Sequence, residues 1–176
     1  LADLTSWPLW SQFLLGFLVL EFVVYAWHRI MHTAEPLWRH VHQTHHSAER
    51  VDIWGAFWFH PLDMIGWAFV GSLALVGCLG ISVPAAIAIN LVASFCAMFQ
   101  HANLRTPRWI GYIITRPESH AWHHARGVHG KNYGDVPWFD ILFGTFRNPE
   151  SAPAEVGFFN GASNKLWSLL IGRKII

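Results

Sequence analysis

Nine of the 12 histidines in this chain are grouped at spacings that suit metal binding. They form one H-x3-H pair, two H-x2-H-H triplets and a single histidine: His28, His32, His42, His45, His46, His101, His120, His123 and His124. Residues at i, i+3 and i+4 share one face of a helix, so we expect each cluster to aim its imidazoles at one point. Imidazole suits iron, copper, zinc and nickel. Because nine ligands exceed what one ion accepts, the sequence predicts two metal ions held close together.

The composition is typical of a membrane protein. Hydrophobic residues make up 53% of the chain and charged residues 13%, and the mean hydropathy is +0.29, outside the usual balance of a soluble domain. Residues 64–104 contain no Asp, Glu, Lys or Arg, which is long enough to cross a ~30 Å bilayer twice. Gly80 and Pro84 divide this stretch, since Gly ends helices and Pro starts them. With an earlier apolar run, the sequence predicts an all-α integral membrane bundle, a single domain over 1–176, with spans at about 9–31, 64–80 and 84–101.

The positions of the 12 Lys and Arg residues orient these spans. They lie at the end of the first span, in the segment 32–61 or in the segment 102–176, whereas the N-terminal tip and the turn between the last two spans have none. The positive-inside rule places the basic end in the cytoplasm. Because every grouped histidine lies at that end, we expect a helical cap that carries the metal site on the cytoplasmic face of a bacterial inner membrane or of the ER. The run 165–176 mixes basic and apolar residues and is expected to lie along the membrane surface.

Six sequence blocks carry a family resemblance: His28–His32, His42–His46, Phe59–Asp63, Gln100–Asn103, Ser119–His124 and Lys131–Phe146. In this order, over about residues 17–147, they are similar to the fatty acid hydroxylase/sterol desaturase superfamily. The resemblance implies a membrane di-iron site, O2 as cosubstrate and oxidation of a C–H bond. It also implies a lipid or sterol substrate, whose reactive carbon we expect near the cytoplasmic boundary, and we expect hydroxylation in preference to desaturation.

The ligand count departs from some members of that superfamily, which have a tenth ligand one helical turn before the equivalent of His101. Ala97 occupies that position here and cannot bind a metal. The tenth contact is therefore left to water, to His60 or to nothing, and His60 is equally explained as a turn residue before Pro61. His40 and His129 fit no ligand spacing, so we expect them to be solvated or to be hydrogen-bond donors near the site.

Three further polar residues are candidates for orienting the ligands. Glu21 is a carboxylate inside an apolar span, which is a hypothesis of function by default, and it shares a helix face with His28 and His32. Carboxylates commonly accept the other ring N–H of a metal-bound histidine. Asn132 and Asp140 could orient ligands in the same way. The structural alternatives are a polar contact between helices for Glu21, and an Asx turn or a helix cap for Asn132 and Asp140.

Two other classes of function compete with a di-iron oxygenase. An intramembrane zinc-dependent hydrolase usually needs three protein ligands and a water, fewer than are present, and the chain has no H-E-x-x-H motif. A non-enzymatic metal or haem protein is the other alternative, but bis-histidine haem needs ligands that face each other across a bundle. Cys78 and Cys96 form no CxxC pair and are expected to be buried hydrophobic residues.

An oxygenase that inserts one oxygen atom also needs two electrons from outside the substrate. The sequence has no Gly-rich dinucleotide motif and no cysteine set for an iron–sulfur cluster. We therefore expect a separate electron donor: a ferredoxin, cytochrome b5 or a reduced pterin. Arg105, Arg108, Arg126 and Lys131 could dock an acidic donor or simply anchor the basic end at the membrane. No array of basic and aromatic residues suggests nucleic-acid binding.

Overall fold

The computed structural model describes residues 1–175, and these residues form helices joined by loops and turns. Their only β-type pairing is an isolated bridge between Ala125 and Val156. Three of the helices are long and apolar enough to cross a membrane. The prediction of an all-helical fold with apolar spanning helices and a histidine cluster is confirmed. The last position of the predicted domain, residue 176, lies outside the described residues.

The three long helices are α1 (Leu9–Thr33), a second helix over Pro61–Cys78, and α5 (Val83–Gln100). The second helix starts as α4 (Pro61–Ser72) and continues as a π-helix over Leu73–Cys78. It begins three residues before the predicted span. Proline is well suited to the first helical turn, and the His60 side chain accepts a hydrogen bond from the Leu62 N–H as the N-cap.

The long helices pack through a small apolar core and leave their outer faces uncovered. Gly16 of α1 allows close packing, because a Cβ atom there would lie 2.5 Å from Cδ1 of Ile89. The buried core residues are Leu4, Leu20, Leu75, Ile81, Ala85 and Ile89. Large apolar side chains on the opposite faces, such as those of Leu14, Phe69 and Leu91, are exposed. Such a bundle is consistent with helices surrounded by lipid.

The N-terminal tip and the turn between the last two long helices lie at the same end of the bundle. The backbone N–H of Ala2 donates to Cys78 O at 2.8 Å, and that of Leu4 donates to Gly80 O at 3.1 Å. Gly80 has φ +55°, a conformation that glycine adopts without steric strain. Neither segment contains Lys or Arg, so the bundle has one end without basic side chains.

The other end carries a cap of short helices that positions the histidines. It contains α2 (Glu35–Leu37), a π-helix over Trp38–His42, α3 (Gln43–His46) and α6 (Pro117–His123). It also contains α7 (Trp138–Leu142) and α8 (Leu166–Leu170). The chain after α8 folds back over the cap: Arg39 Nε donates to Gly172 O at 3.0 Å, and Gln43 Nε2 donates to Arg173 O at 2.8 Å. Cys78 and Cys96 are free thiols, and Cys96 is buried.

Candidate metal centre

The nine grouped histidines meet in the cap and separate into two sets. The five-histidine group consists of His28, His32, His42, His46 and His123, and the four-histidine group consists of His45, His101, His120 and His124. Within each group, one ring nitrogen per residue lies within 4.8 Å of all the others. The two groups adjoin, because the rings of His46 and His124 stack with centroids 4.1 Å apart.

Each H-x2-H-H triplet is divided between the two groups, so the prediction that every cluster aims at one point was wrong for these two motifs. His42 and His46 join one group while His45 joins the other. The second triplet does the reverse, since His120 and His124 join the four-histidine group while His123 joins the five-histidine group. The pairs at i, i+4 stay together. The residue at i+3 diverges from its partner at i by about 60° around the helix, and this divergence is enough to reach the neighbouring group.

Three histidines of the five-histidine group have their ring orientation fixed through Nδ1. His28 Nδ1 lies 2.7 Å from Tyr133 O, and His123 Nδ1 lies 2.7 Å from Lys131 O. Since a carbonyl oxygen can only accept, each Nδ1 carries the proton and donates it. His42 Nδ1 lies 2.7 Å from the carboxylate of Asp63 and donates in the same way. With a proton on Nδ1, each ring can present the lone pair of Nε2 to the centre of the group.

Two histidines of the four-histidine group are oriented in the same manner. His101 Nδ1 donates to Ala97 O at 2.8 Å, and His45 Nδ1 donates to Trp58 O at 3.3 Å. The Nε2 atom of His120 lies 3.0 Å from Nε2 of His101 and 3.0 Å from Nε2 of His124. Three ring nitrogens thus converge in the middle of this group.

This donor arrangement fits metal ions. Nε2 of His28 and Nε2 of His42 lie 3.0 Å apart, although both rings have already placed their proton on Nδ1. Two facing lone pairs repel unless a cation lies near both. Further buried ring nitrogens have no hydrogen-bond partner within the described chain: both of His32, both of His46, Nδ1 of His120, Nε2 of His123 and Nδ1 of His124. Unpaired buried nitrogens are costly. A metal ion would satisfy Nε2 of His123 and one nitrogen each of His32 and His46, whereas the Nδ1 atoms of His120 and His124 are not the ring nitrogens that converge on the middle of their group.

Burial also keeps the imidazoles in the form that binds metal. Desolvation lowers the pKa of His123 to about 3 and that of His101 to about 4, from an ordinary value of 6.5. It lowers the pKa of His45, His46, His120 and His124 as well. Neutral imidazole is the ligating form, so a proton is a poor substitute for a metal cation at these positions.

The sequence profile described as fatty acid hydroxylase matches residues 13–145. The chain belongs to the fatty acid hydroxylase family.

Three relatives of this family member are named for activities on lipids or sterols. The ornithine lipid hydroxylase OlsE of Rhizobium tropici is 35% identical over 150 residues, which cover 82% of this chain and 44% of that protein. The Delta(7)-sterol-C5(6)-desaturase of Nicotiana tabacum is 29% identical over 142 residues, which cover 78% of this chain and 50% of that protein. The alkylglycerol monooxygenase of Xenopus tropicalis is 32% identical over 147 residues, which cover 81% of this chain and 31% of that protein. The chain thus spans about a third to a half of the length of these relatives. No solved structure matches it.

Asp63 is a site residue of this fatty acid hydroxylase family member that the sequence reasoning missed. It lies in the first turn of α4 and is fully buried, and its carboxylate accepts the Nδ1 proton of His42. A signal was available, because Asp63 is an acidic residue at the edge of an apolar run and belongs to one of the six blocks. Its partner lies 21 positions earlier, however, and no local spacing links the two.

Glu21 does not contact a histidine, and the expectation that it accepts a ring N–H was wrong. Its Oε2 accepts a hydrogen bond from the Val136 backbone N–H at 3.2 Å. Asp135 is held alongside by Gln100, whose Nε2 donates to Oδ1 of Asp135 at 2.7 Å. Glu21 instead joins α1 to the loop that contains Val136, whereas the structural alternative had placed such a polar contact between helices.

Asn132 and Asp140 act on the same loop, the segment 131–136, which supplies two of the carbonyls that orient histidines. Asp140 accepts from the backbone N–H groups of Tyr133 at 2.9 Å and Gly134 at 2.8 Å. Asn132 lies between the carbonyls of Lys131 and Tyr133, and its side chain donates to Ser119 O at 2.9 Å. Together with Glu21, these residues hold the backbone that holds His28 and His123.

The remaining histidines lie outside both groups. Both ring nitrogens of His60 are engaged, one with the Leu62 N–H and the other with Leu170 O at 3.1 Å. His40 is exposed. The His129 ring lies 5.1 Å from that of His46, with an unpaired Nδ1, so it adjoins the centre without joining it.

Two of the basic side chains considered for docking an electron donor are paired with acids. Arg108 lies 3.5 Å from Glu150, and Arg126 lies 2.9 Å from Glu155. Lys131 donates to Gly144 O at 3.2 Å. This pairing weakens the expected positive patch, and of its exposed arginines Arg105 is the one without an acidic partner among residues 1–175.

Proposed function

We propose that this chain is a membrane di-iron oxygenase that uses O2 to hydroxylate a C–H bond of an amphipathic lipid or sterol. In the overall reaction, R–H, O2, two electrons and two protons give R–OH and H2O. One oxygen atom enters the substrate, and the other leaves as water. The observation that carries the proposal is the pair of adjoining histidine groups, in each of which one ring nitrogen per residue lies within 4.8 Å of all the others.

In the proposed reaction the protein binds the metal ions, orients their ligands and shields the centre from water. The five-histidine group and the four-histidine group would each hold one iron ion, and the two irons would supply the activation of O2. The carbonyls of segment 131–136 fix the ring tautomers of His28 and His123, and the carboxylate of Asp63 fixes that of His42, so these three rings are oriented before a metal ion binds. The buried setting excludes water, which would otherwise compete for the open positions.

The position of the centre supports a lipid substrate. His28 and His32 belong to the last turns of α1, and His101 directly follows α5, so the histidines lie where apolar helices meet the polar cap. A lipid in the bilayer can bring a carbon near its head group to that level. Two of the three relatives are a hydroxylase and a monooxygenase by name, which favours hydroxylation over desaturation. The charge pattern supports a cytoplasmic location for the centre.

Metal analysis with an absorption spectrum tests the proposal. Purified protein should contain two non-haem irons per chain, and product formed under labelled O2 should carry one labelled oxygen atom. His45→Ala and His123→Ala should each lower metal content and abolish turnover, since each removes a ligand from a different group. Full activity with zinc and no iron would exclude the oxygenase, and a Soret band would indicate a haem protein instead.

A further inference from the structure

The two histidine groups are unequal, and the inequality has a local cause. Each of the three ligand pairs at i, i+4 contributes both members to one group: His28 with His32, His42 with His46, and His120 with His124. His101 has no such partner. One turn before it on α5 lies Ala97, which contributes only a backbone carbonyl to the Nδ1 proton of His101.

The four-histidine group also has less support around its ligands. In the five-histidine group, the Nδ1 protons of three rings are held, one of them by the negatively charged Asp63. In the four-histidine group only His45 and His101 are held, both by neutral carbonyls. Among residues 1–175, no carboxylate accepts a hydrogen bond from a histidine of this group. A divalent ion there would keep its full charge in surroundings of low dielectric constant.

Aromatic rings lie against both groups. The ring centroid of His32 lies 4.9 Å from that of Trp38 and 5.4 Å from that of Tyr133. His45 of the four-histidine group stacks on Phe59 with ring centroids 4.5 Å apart. A cavity of about 600 Å³ borders α6 through Pro117, Glu118 and Ala121, and α6 carries His120 of one group and His123 of the other. The number and support of the ligands therefore distinguish the two groups, whereas their surroundings do not.

We infer that the metal ion in the four-histidine group binds a small exogenous anion and is held less tightly than the ion in the five-histidine group. This inference rests on the two-metal centre proposed above. If each ion takes six ligands, the ion in the four-histidine group would keep two positions free for other ligands. The ion in the five-histidine group would keep one. An anion in a free position would also supply the negative charge that Asp63 supplies to the other group. Azide is the probe for this position.

Removal of iron by a chelator tests the difference in affinity. Anaerobic protein loaded with two ferrous ions per chain is mixed with a coloured iron chelator, and release should be biphasic. His120→Ala should affect the fast phase and His32→Ala the slow phase. Ala97→His adds an imidazole one turn before His101, so it should slow the fast phase by about tenfold or more, the scale of a single supporting interaction. Ser94→His, at an exposed position of the same helix, is the matched control and should leave both phases unchanged.

Azide binding gives a second readout that does not depend on turnover. Oxidised wild-type protein should bind one azide per chain with a charge-transfer band, and Ala97→His should weaken azide by about tenfold or more, whereas Ser94→His should not. Release in a single phase, or an azide band that persists in His120→Ala and disappears in His32→Ala, would overturn the inference while leaving the metal centre intact. Binding of fewer than two ions by the wild type would overturn both.

Discussion

At the scale of single residues, a buried imidazole is better oriented as a metal ligand when its other nitrogen has an acceptor. Five of the nine grouped histidines have one, and four of the acceptors are backbone carbonyls. Asp63 is the exception because it brings a full negative charge to His42. It therefore both fixes the tautomer and strengthens the attraction between the ring and a cation.

We expect Asp63→Asn to lower metal affinity by about 10–100-fold, the usual effect of changing a group that supports a ligand. The amide oxygen can still accept a hydrogen bond from Nδ1 of His42. The substitution therefore removes the negative charge of Asp63 but keeps the shape of its side chain. Elemental analysis of protein dialysed against graded iron concentrations measures the effect. Glu150→Gln, at an exposed carboxylate, is the control, and an equal loss in both variants would contradict the special role of Asp63.

The candidate ligands could be chosen from the sequence because helical spacing is local. A pair at i, i+4, such as His28 and His32, predicts a shared helix face even when the fold is unknown. The division of each triplet between two groups could not be predicted, because it depends on where the neighbouring helices lie. Asp63 was missed for the same reason, since its contact joins two elements that are distant in the chain.

At the scale of structural elements, segment 131–136 is the part of the cap that depends most on side chains. Asn132 has φ +57°, and its side-chain oxygen accepts from the Arg147 N–H at 2.7 Å. The left-handed backbone brings the carbonyls of Lys131 and Tyr133 toward two histidines. Asn132 and Asp140 could be chosen as candidates from the sequence, but their action through the backbone could not be predicted, because it depends on contacts with Ser119 and with the loop itself.

Substitution of Asn132 separates backbone strain from hydrogen bonding. Asn132→Gly keeps the left-handed conformation but loses the side-chain bonds, and Asn132→Ala loses both. We expect the alanine variant to be less stable than the glycine variant by roughly 1–2 kcal/mol, measured by thermal unfolding of the detergent-solubilised protein. Equal stability of the two variants would show that this conformation is not needed.

Glu21 allows a second test of the same loop. Glu21→Gln keeps an oxygen for the Val136 N–H, so metal content should stay close to that of the wild type and the loss should be smaller than for any ligand substitution. Glu21→Leu leaves the N–H unpaired in a buried setting, which costs about 1–3 kcal/mol. A lower unfolding temperature in Glu21→Leu than in Glu21→Gln is the expected result, and the reverse order would contradict a positioning role.

At the scale of the whole molecule, the bundle has two chemically different ends. The tip and the Gly80 turn bond to each other and carry no basic residues, whereas the cap carries the histidines. Thr5→Cys and Ala154→Cys, both at exposed positions, test the orientation in a background without Cys78 and Cys96. A membrane-impermeant thiol reagent applied to intact cells should label only Thr5→Cys. Labelling of Ala154→Cys alone would place the histidines on the other face.

The need for electrons is also a property of the whole molecule. The proposed reaction consumes two electrons for each O2, and residues 1–176 contain no motif for a second redox cofactor. Purified protein with O2, lipid and NAD(P)H should therefore show no turnover until a reductase with a ferredoxin or cytochrome b5, or a reduced pterin, is added. Because Arg108 and Arg126 are already paired with acids, the rate with a protein donor should fall only modestly as salt screens the remaining cations. Sustained product formation from NAD(P)H alone would mean that electrons enter by a route within this chain.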